Sequence, residues 1–326
     1  MTTCASVKLE EIRSAGRIFY VPSTEICGRN VVVTGKRIRT AQVKDEEVVE
    51  GISVPDPELF LSQLQQSNLH ADVFTFMQRP PEVTPKYNYH IEWGNWAVAS
   101  TISFKHWWEK LPQVTRKNVR RAGRRGVLVK IVPLDDNLVN GVQKIYNETP
   151  VRGGRFFWHY GKDAETIRQG LATYKGRSDF IGAYSEGELI GFIKMVYADD
   201  IAKLFHVIAM NAYYDKRPMN ALIAKAVEVC EKKGISYLVY NRFIYGNNDQ
   251  NSFVEFKRRN GFEQVNFPRY YIPLTPRGRV FVRLRLYREF SSFVPKPLLQ
   301  PLLDLREWYC NAVSSSLLGK RKHLPV

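Results

Sequence analysis

One basic turn in the second half of the sequence has the residue types for binding an anionic ligand. Lys216 and Arg217 stand directly before Pro218, a residue that suits the first turn of a helix. The free N–H groups at a helix N-terminus carry a partial positive charge and bind phosphate, and two full charges at the same end strengthen that binding. Because every α/β domain has several such turns and most are empty, the turn alone does not establish a site.

A second candidate site is the loop of residues 147–160, which combines glycine hinges with cationic and aromatic side chains. Such a composition is better suited to holding a ligand than to filling a core. His159 in this loop and His206 upstream of the basic turn are candidates for a general base, but a lone strand histidine is more often a satisfied core residue, so we identify no base. The candidate substrate-binding residues are Arg152, Arg155, Phe156, His159 and Tyr245.

The basic turn must be positioned by the elements around it. The apolar residues of 219–230 recur at i, i+3, i+4, i+7, i+8 and i+11, which predicts one buried face of a helix that ends at Gly234. Residues 203–214 and 235–240 are rich in strand formers. A strand, a turn, a helix and a second strand predict a βαβ unit with parallel strands.

A shorter helix over 251–262, closed by Gly261, is followed by a further strand over 263–272. This arrangement resembles the GNAT superfamily of N-acyltransferases, and within it the FemAB-like branch. Ordinary GNAT enzymes have a glycine-rich pyrophosphate loop at the turn and a tyrosine four residues before a Gly-Phe pair. Here residues 217–222 read Arg-Pro-Met-Asn-Ala-Leu, and Lys257 occupies the tyrosine position. Both departures resemble the FemAB-like pattern.

The resemblance implies roles for individual residues. Backbone near Ile208–Asn211 would supply a donor to the oxyanion, and the basic turn would hold the phosphates of the acyl carrier. The implied cofactor-binding residues are Ile208, Met210, Lys216, Arg217, Pro218, Met219 and Asn220. Lys257 and Asn251 are the candidate catalytic residues. Lys257 would stabilise the leaving group or contact phosphate, and a surface charge beside Arg258 and Arg259 is an equal alternative.

A run of basic residues precedes this region. Residues 115–125 contain Arg116, Lys117, Arg120, Arg121, Arg124 and Arg125 and no acid. Such runs are most often solvated faces, yet the absence of acids favours an anion-binding ridge on a helix. The order of residues from Trp107 to Val127 is also similar to the segment that opens the second half of FemAB-like proteins.

Composition supports a folded, basic protein. The chain of 326 residues is 44% hydrophobic and has a formal net charge of +16, which indicates an anionic partner. The four cysteines show no zinc-binding spacing, so we expect no metal site. No apolar run approaches the length of a membrane span, and no signal peptide is evident, so we expect a cytoplasmic protein.

These observations predict an α/β (α+β) fold with a GNAT-like mixed, twisted sheet and helices on both faces, which residues 127–275 should form. The expected domains are a reduced N-terminal α+β half (1–104), a basic connecting helix (105–126), the acyltransferase domain (127–276) and a basic amphipathic tail (277–326). For the tail, we favour a helix docked on the body of the protein over a helix that contacts a membrane.

The main functional hypothesis is N-acyl transfer from acetyl-CoA or another acyl-CoA to an amine on a small molecule, glycan or peptide. One alternative is aminoacyl transfer from tRNA to a cell-wall-type amine, and another is a non-catalytic module that binds anions or nucleic acid.

Overall fold

The computed structural model describes residues 6–14, 17–245 and 252–288, together with Pro301 and Leu305. Asn251 and most of the tail from 277 to 326 lie outside the described residues. The strands are β1 (Lys8–Ser14), β2 (Arg17–Ile26), β3 (Arg29–Thr34), β4 (Thr40–Val43), β5 (Val73–Met77), β6 (His90–Ser100), β7 (Leu128–Val132), β8 (Val151–Arg152), β9 (Arg155–Phe156), β10 (Ser178–Ser185), β11 (Glu188–Ala198), β12 (Ile201–Ala209), β13 (Tyr237–Val239) and β14 (Glu263–Pro273).

The helices lie between these strands and along their faces. They are α1 (Pro57–Gln66), α2 (Phe104–Lys110), α3 (Gln113–Arg124), α4 (Asp136–Asn147), α5 (Ala164–Leu171), α6 (Pro218–Lys232), α7 (Ser252–Arg259) and α8 (Pro276–Arg283), with 3₁₀ helices at Glu46–Val48 and Asn211–Lys216. Acceptor side chains fix several starts: Asp135 caps α4 and Asp163 caps α5 by accepting from backbone N–H groups.

Twelve strands form one mixed sheet in the order β1-β2-β3-β4-β5-β14-β6-β13-β12-β11-β10-β7. Most neighbours are antiparallel, but β12 and β13 are parallel, as are β4 and β5. Helix α6 packs on one face of β10–β13, and α4 and α5 pack on the other. We refer to these as the α6 face and the α4 face. The predicted mixed sheet with helices on both faces is therefore confirmed, but its predicted bounds are wrong: the sheet is not confined to residues 127–275, because β1–β6 belong to it and β6 separates β13 from β14.

Helix α6 is the central connection of the sheet. Pro218 is its first residue, and Leu222, Ile223, Ala226, Val227 and Cys230 are buried, as the periodicity predicts. Gly234 follows its end with φ of 70°, a conformation that glycine adopts without strain. The chain then enters β13, so the predicted βαβ unit with parallel strands is confirmed.

The N-terminal region shares this sheet. Strand β14, from the end of the chain, lies between β5 and β6 and pairs antiparallel with both. Strand β6 in turn pairs with β13. The hairpin of β1 and β2 was not predicted from the sequence. Strands from before and after residue 104 thus belong to the same sheet, so the sheet itself does not mark a domain boundary there. The division into domains at that position is a proposal.

Candidate functional site

The two parallel strands that flank α6 diverge at their carboxyl ends. Strand β12 pairs with β13 only over Ile201–Lys203 and then continues to Ala209. The chain after β13 instead follows β6, since Tyr240 N–H donates to Ala97 and Ala97 N–H to Asn241. Among the described residues, no strand therefore pairs with the far end of β12 on this side. We refer to the gap between residues 204–209 and residues 240–245 as the opening.

Strand alternation decides which backbone groups of β12 face the opening. The N–H of Met210 donates to the carbonyl of Ile190, so the backbone N–H and C=O of Met210 face β11, and those of Ile208 face the same way. The backbone N–H and C=O groups of Val207 and Ala209 face the other way, into the opening. The Ala209 carbonyl supports this orientation, because it accepts from Arg152 rather than from β11. The N–H groups of Ile208 and Met210, the residues expected at the oxyanion, therefore face β11, and it is those of Val207 and Ala209 that face the opening.

The N-terminus of α6 carries unpaired backbone donors. Arg217 is the N-cap residue, with φ of 60° and no capping hydrogen bond from its side chain. Within the described part of the chain, the N–H groups of Met219 and Asn220 have no partner, as expected for a first helical turn. Lys216 is half-buried, where its Nζ donates to Ser185 Oγ at 2.8 Å and lies 3.6 Å from a Glu186 carboxylate oxygen. Arg217 is exposed.

The side chain of Asn220 has a structural role instead of the expected cofactor contact. Its Nδ2 donates to Asn260 Oδ1 at 2.9 Å and so joins α6 to the connection between α7 and β14. Gly261 in that connection has φ of 81°, and a Cβ there would lie 2.6 Å from Trp107 Nε1. Only the backbone N–H of Asn220 therefore remains for a ligand.

Lys257 is fully buried, which contradicts the alternative that it is a surface charge. Its Nζ lies about 5 Å from the rings of Tyr240 (5.0 Å), Tyr245 (4.8 Å) and Phe253 (4.8 Å), and donates to the carbonyl of Arg242. Burial lowers the pKa of Lys257 to about 8. Because residues 240–245 form one side of the opening, the ammonium group lies beside it. Tyr245, a predicted substrate contact, is part of the wall around this lysine.

Arg152, another predicted ligand contact, forms its hydrogen bonds with other residues of the protein. Its guanidinium donates to the carbonyls of Ala209 (2.8 Å) and Ile145 (3.0 Å) and to Glu148 Oε2 (2.8 Å). Glu148 also accepts from the N–H groups of Asn211 and Ala212, both at 2.9 Å. We call Glu148 and Arg152 the clamp. The clamp holds the end of β12 and the start of the segment that leads to α6.

The structure brings the two candidate histidines together on the α4 face. The rings of His159 and His206 are 5.4 Å apart, and the Tyr146 hydroxyl lies 3.3 Å from His206 Nδ1. Burial, assisted by nearby positive charges, lowers the pKa of His159 to about 2 and that of His206 to about 3. A base with so low a pKa holds a proton too weakly to act near neutral pH. Arg155 and Phe156 lie nearby on exposed β9.

The predicted basic ridge lies on α3, which packs beside α6. Arg125 pairs with Asp215, two residues before Arg217, so the ridge meets the basic turn. Arg120 lies over the Trp108 ring at 5.5 Å. Across the described ranges, no acidic side chain pairs with Arg116, Lys117, Arg120, Arg121 or Arg124. The ridge and the turn therefore form one positively charged surface.

No group of three or more His, Cys, Asp or Glu residues that could hold a metal ion occurs among the described residues. None of the helices in the described ranges is both long enough and apolar enough to cross a membrane.

Comparisons with known proteins identify the fold. No protein-family model and no curated protein matches the chain. Among solved structures, FemX covers 86% of this chain and 90% of its own at 10% identity, with a TM-score of 0.56.

Two further solved structures are similar to this chain. The C-terminal domain of a putative lysylphosphatidylglycerol synthetase from Agrobacterium fabrum is 12% identical, with 82% of this chain and 87% of that chain covered and a TM-score of 0.53. L-PGS from Bacillus licheniformis is 13% identical, with 81% and 88% covered and a TM-score of 0.51. At such low identity these similarities concern the fold alone. The chain has a GNAT-like fold of the FemAB-like type, as its sequence predicts.

Proposed function

We propose that this chain is an N-acyltransferase that transfers an acyl group from a thioester carrier, acyl-CoA in the first instance, to an amine. The observation that carries this proposal is the opening: backbone N–H groups of Val207 and Ala209 face it from one side, and the buried Lys257 lies on the other. A fixed pair of donors and a nearby cation are what acyl transfer requires for its transition state.

The carrier's phosphates are assigned to the N-terminus of α6. Helix N–H groups, the exposed Arg217 and the half-buried Lys216 favour negative charge at that position. The acyl carbonyl then extends into the opening, where an N–H of Val207 or Ala209 stabilises the oxyanion. The amine attacks the carbonyl carbon, the carbon–sulfur bond breaks, the thiolate leaves, and the extra proton of the new amide nitrogen passes to solvent.

Lys257 is suited to the leaving group. With its pKa lowered to about 8, most Lys257 side chains are protonated at pH 7 yet release a proton more readily than an ordinary lysine. Its ammonium group can donate to the departing sulfur and so compensate the negative charge. The nearby histidine pair is neutral and is assigned to the wall of the site rather than to proton transfer.

A second candidate donor is aminoacyl-tRNA. The specific observation in its favour is the α3 ridge, whose cations continue the positively charged surface of the basic turn. A coenzyme with few phosphates does not need a surface of this length, whereas a polynucleotide can neutralise many of these cations together. The chemistry at the opening is the same, with an ester oxygen as the leaving atom.

The donor site is tested by a titration of acetyl-CoA in a calorimeter. Replacing Lys216 and Arg217 together by Ala should weaken donor binding at least ~10-fold, because charge-assisted hydrogen bonds contribute roughly 1.5–3 kcal/mol each. The matched control replaces Lys232 and Lys233 by Ala at the other end of the same helix, and this variant should bind as the wild type does. Equal affinity of a folded Lys216/Arg217 variant and the control would remove the basic turn from the site.

A further inference from the structure

A large cavity lies on the α4 face, on the opposite side of the sheet from α6. Its volume is about 910 Å³, and Thr75, Arg269 and Tyr271 are among its lining residues. These positions alternate with Phe74, Phe76 and Tyr270, which pack in the core around α1. The cavity is therefore lined by the face of β5 and β14 that does not pack against α1. None of the residues assigned to the donor site lines it.

The cavity reaches the opening. Arg242 and Ile244 line it, and both belong to residues 240–245, which form one side of the opening. The carbonyl of Arg242 accepts from Lys257. Arg242 thus both lines the cavity and contributes its backbone carbonyl to the surroundings of Lys257. A molecule held in the cavity can extend one end to the transferred carbonyl from the side opposite the carrier.

Two of the arginines that line the cavity are held in place by carboxylate groups. Among the described residues its lining contains three arginines and two glutamates, Arg242, Arg269, Arg288, Glu47 and Glu92. Arg288 donates to both carboxylate oxygens of Glu92 at 2.9 Å, and the Tyr287 hydroxyl donates to the same group at 3.0 Å. Arg269 pairs with the buried Glu46 at 3.0 Å. Such prior ordering lowers the entropy that a ligand loses on binding.

The cavity also offers aromatic surfaces. The rings of Tyr271 and Tyr287 stack with centroids 4.1 Å apart, and Trp93 in the lining is 53% exposed. Rings of this kind pack against the carbon atoms of a polar ligand and keep its charged ends oriented. The volume lies within the range of small-molecule sites, roughly 300–1,000 Å³. Charged walls are unfavourable for a lipid acyl chain.

We propose that this cavity is the acceptor site and that the acceptor is a small hydrophilic amine with an anionic group, the chemistry of an amino acid or a short peptide. This inference rests on the proposed acyl transfer. Arg269 and Arg288 bind the anionic group through guanidinium N–H groups other than those that donate to Glu46 and Glu92, because several N–H donors of one guanidinium can serve more than one carboxylate. The aromatic side chains contact the connecting carbons, and the amine reaches the opening beside Arg242.

The proposed orientation also accounts for reaction without a basic side chain. At the opening the amine lies near the cationic groups of Arg242 and Lys257. A like charge nearby disfavours the ammonium form, so the acceptor's pKa falls and its neutral, nucleophilic form becomes more abundant. The acceptor's anionic group is bound deeper in the cavity. It maintains the affinity of the protein for the acceptor, although the site disfavours the protonated form of the amine.

The experiment is a calorimetric titration in the absence of any donor, with three probes of matched length. 6-Aminohexanoate carries both groups, hexanoate only the anion and hexylamine only the amine. We expect 6-aminohexanoate to bind at least ~10-fold more tightly than hexylamine, and replacement of Arg288 by Gln to remove that advantage. The matched control is Arg279→Gln, at an exposed position of α8, which should change nothing.

Each contrary result has a definite meaning. No heat with 6-aminohexanoate up to 10 mM, stronger binding of hexylamine, or equal effects of the two arginine variants would each overturn the acceptor assignment. Vesicles of phosphatidylglycerol form a further arm, and their binding in place of the amino acid would indicate a lipid acceptor and also overturn it. A parallel acetyl-CoA titration separates the two hypotheses: donor binding without amino-acid binding rejects only this inference, and the reverse result rejects the proposed donor.

Discussion

Lys257 is the residue whose environment departs furthest from ordinary surface chemistry. A buried ammonium group loses its hydration, and here one backbone carbonyl and three aromatic rings replace it. That replacement is incomplete, which is why burial lowers the pKa of Lys257 to about 8 from an ordinary value of 10.5. A position that costs folding free energy in this way is consistent with a role in transfer rather than in stability.

Replacing Lys257 by Met should therefore abolish transfer without unfolding the protein. Met has a similar length and fills the same space without a charge. We expect kcat to fall at least 100-fold. Wild-type activity should decrease as pH rises through about 8, and the residual activity of the variant should not show this decrease.

Stability against pH provides the control for this substitution. Because the folded-state pKa of Lys257 is below its unfolded value, folding favours the neutral amine. Wild-type stability relative to Lys257→Met should therefore rise between pH 8 and about pH 10.5, as thermal melts would measure. A variant that retains full activity, or a wild type that loses stability relative to it over this range, would contradict the assignment.

The sequence alone could not place Lys257 in the interior. Its neighbours Arg258 and Arg259 are exposed and pair with Glu255 three and four residues earlier on α7, a pattern typical of a solvated helix face. The partners that enclose Lys257 include Tyr240 and Tyr245, which follow a different strand. The same holds for His159 and His206, whose proximity depends on how the loop after α4 packs on β12.

At the scale of elements, the clamp connects three segments. Arg152 joins the end of α4 to the end of β12, and Glu148 accepts from the first two N–H groups of the segment before α6. Both side chains are more than four-fifths buried. The clamp therefore fixes the strand end that carries Val207 and Ala209 relative to the helix that carries the basic turn.

Replacing Arg152 by Ala should destabilise the protein by about 3 kcal/mol, because removal of one partner leaves the buried Glu148 carboxylate without its guanidinium. The exposed Arg155, three residues later, supplies the control: its replacement by Ala should change the free energy of unfolding by less than about 0.5 kcal/mol. Urea denaturation measures both values. Equal effects of the two substitutions would show that the clamp does not hold β12.

Local elements were predictable and their long-range pairing was not. The helix over 218–232 follows from its apolar period and Pro218, and the hairpin of β10 and β11 from the turn at Glu186–Gly187. The insertion of β14 between β5 and β6 joins residues that are almost 200 positions apart, and no local pattern records it. The assignment of Val207 instead of Ile208 also required the observed register of β12.

At the scale of the whole molecule, the net charge of +16 is distributed so that the α3 ridge and the basic turn adjoin. Positive charge of this extent raises the association rate with any polyanion, so charge alone does not choose the donor. The dependence of affinity on salt does choose, because it counts the phosphates that are neutralised on binding.

Replacing Arg120 and Arg124 by Glu should abolish binding of tRNA and leave acetyl-CoA binding unchanged if tRNA lies along the ridge. The logarithm of wild-type tRNA affinity should then fall with the logarithm of salt concentration with a slope of roughly −0.7 to −0.9 per contact. Thermal melts of the variant establish that it is folded, which matters because Arg120 contacts Trp108. A shallow slope and an unaffected variant would exclude the ridge and leave acyl-CoA as the donor.

The account as a whole depends on the opening, between the end of β12 and residues 240–245, as the proposed point of transfer. Val207→Pro removes one N–H that faces the opening, and the ladder with β11 does not use that N–H, so the strand can accommodate the change. Val207→Ala is the control, since it shortens the side chain and keeps the N–H. The most direct measurement is the rate of product formation by these two variants, followed by mass spectrometry with acetyl-CoA or aminoacyl-tRNA and an amine. We predict that Val207→Pro is slower than Val207→Ala by roughly 10²–10³-fold in kcat at similar melting temperature, as for the loss of an oxyanion donor. Equal rates in the two folded variants would contradict the assignment of transfer to this opening.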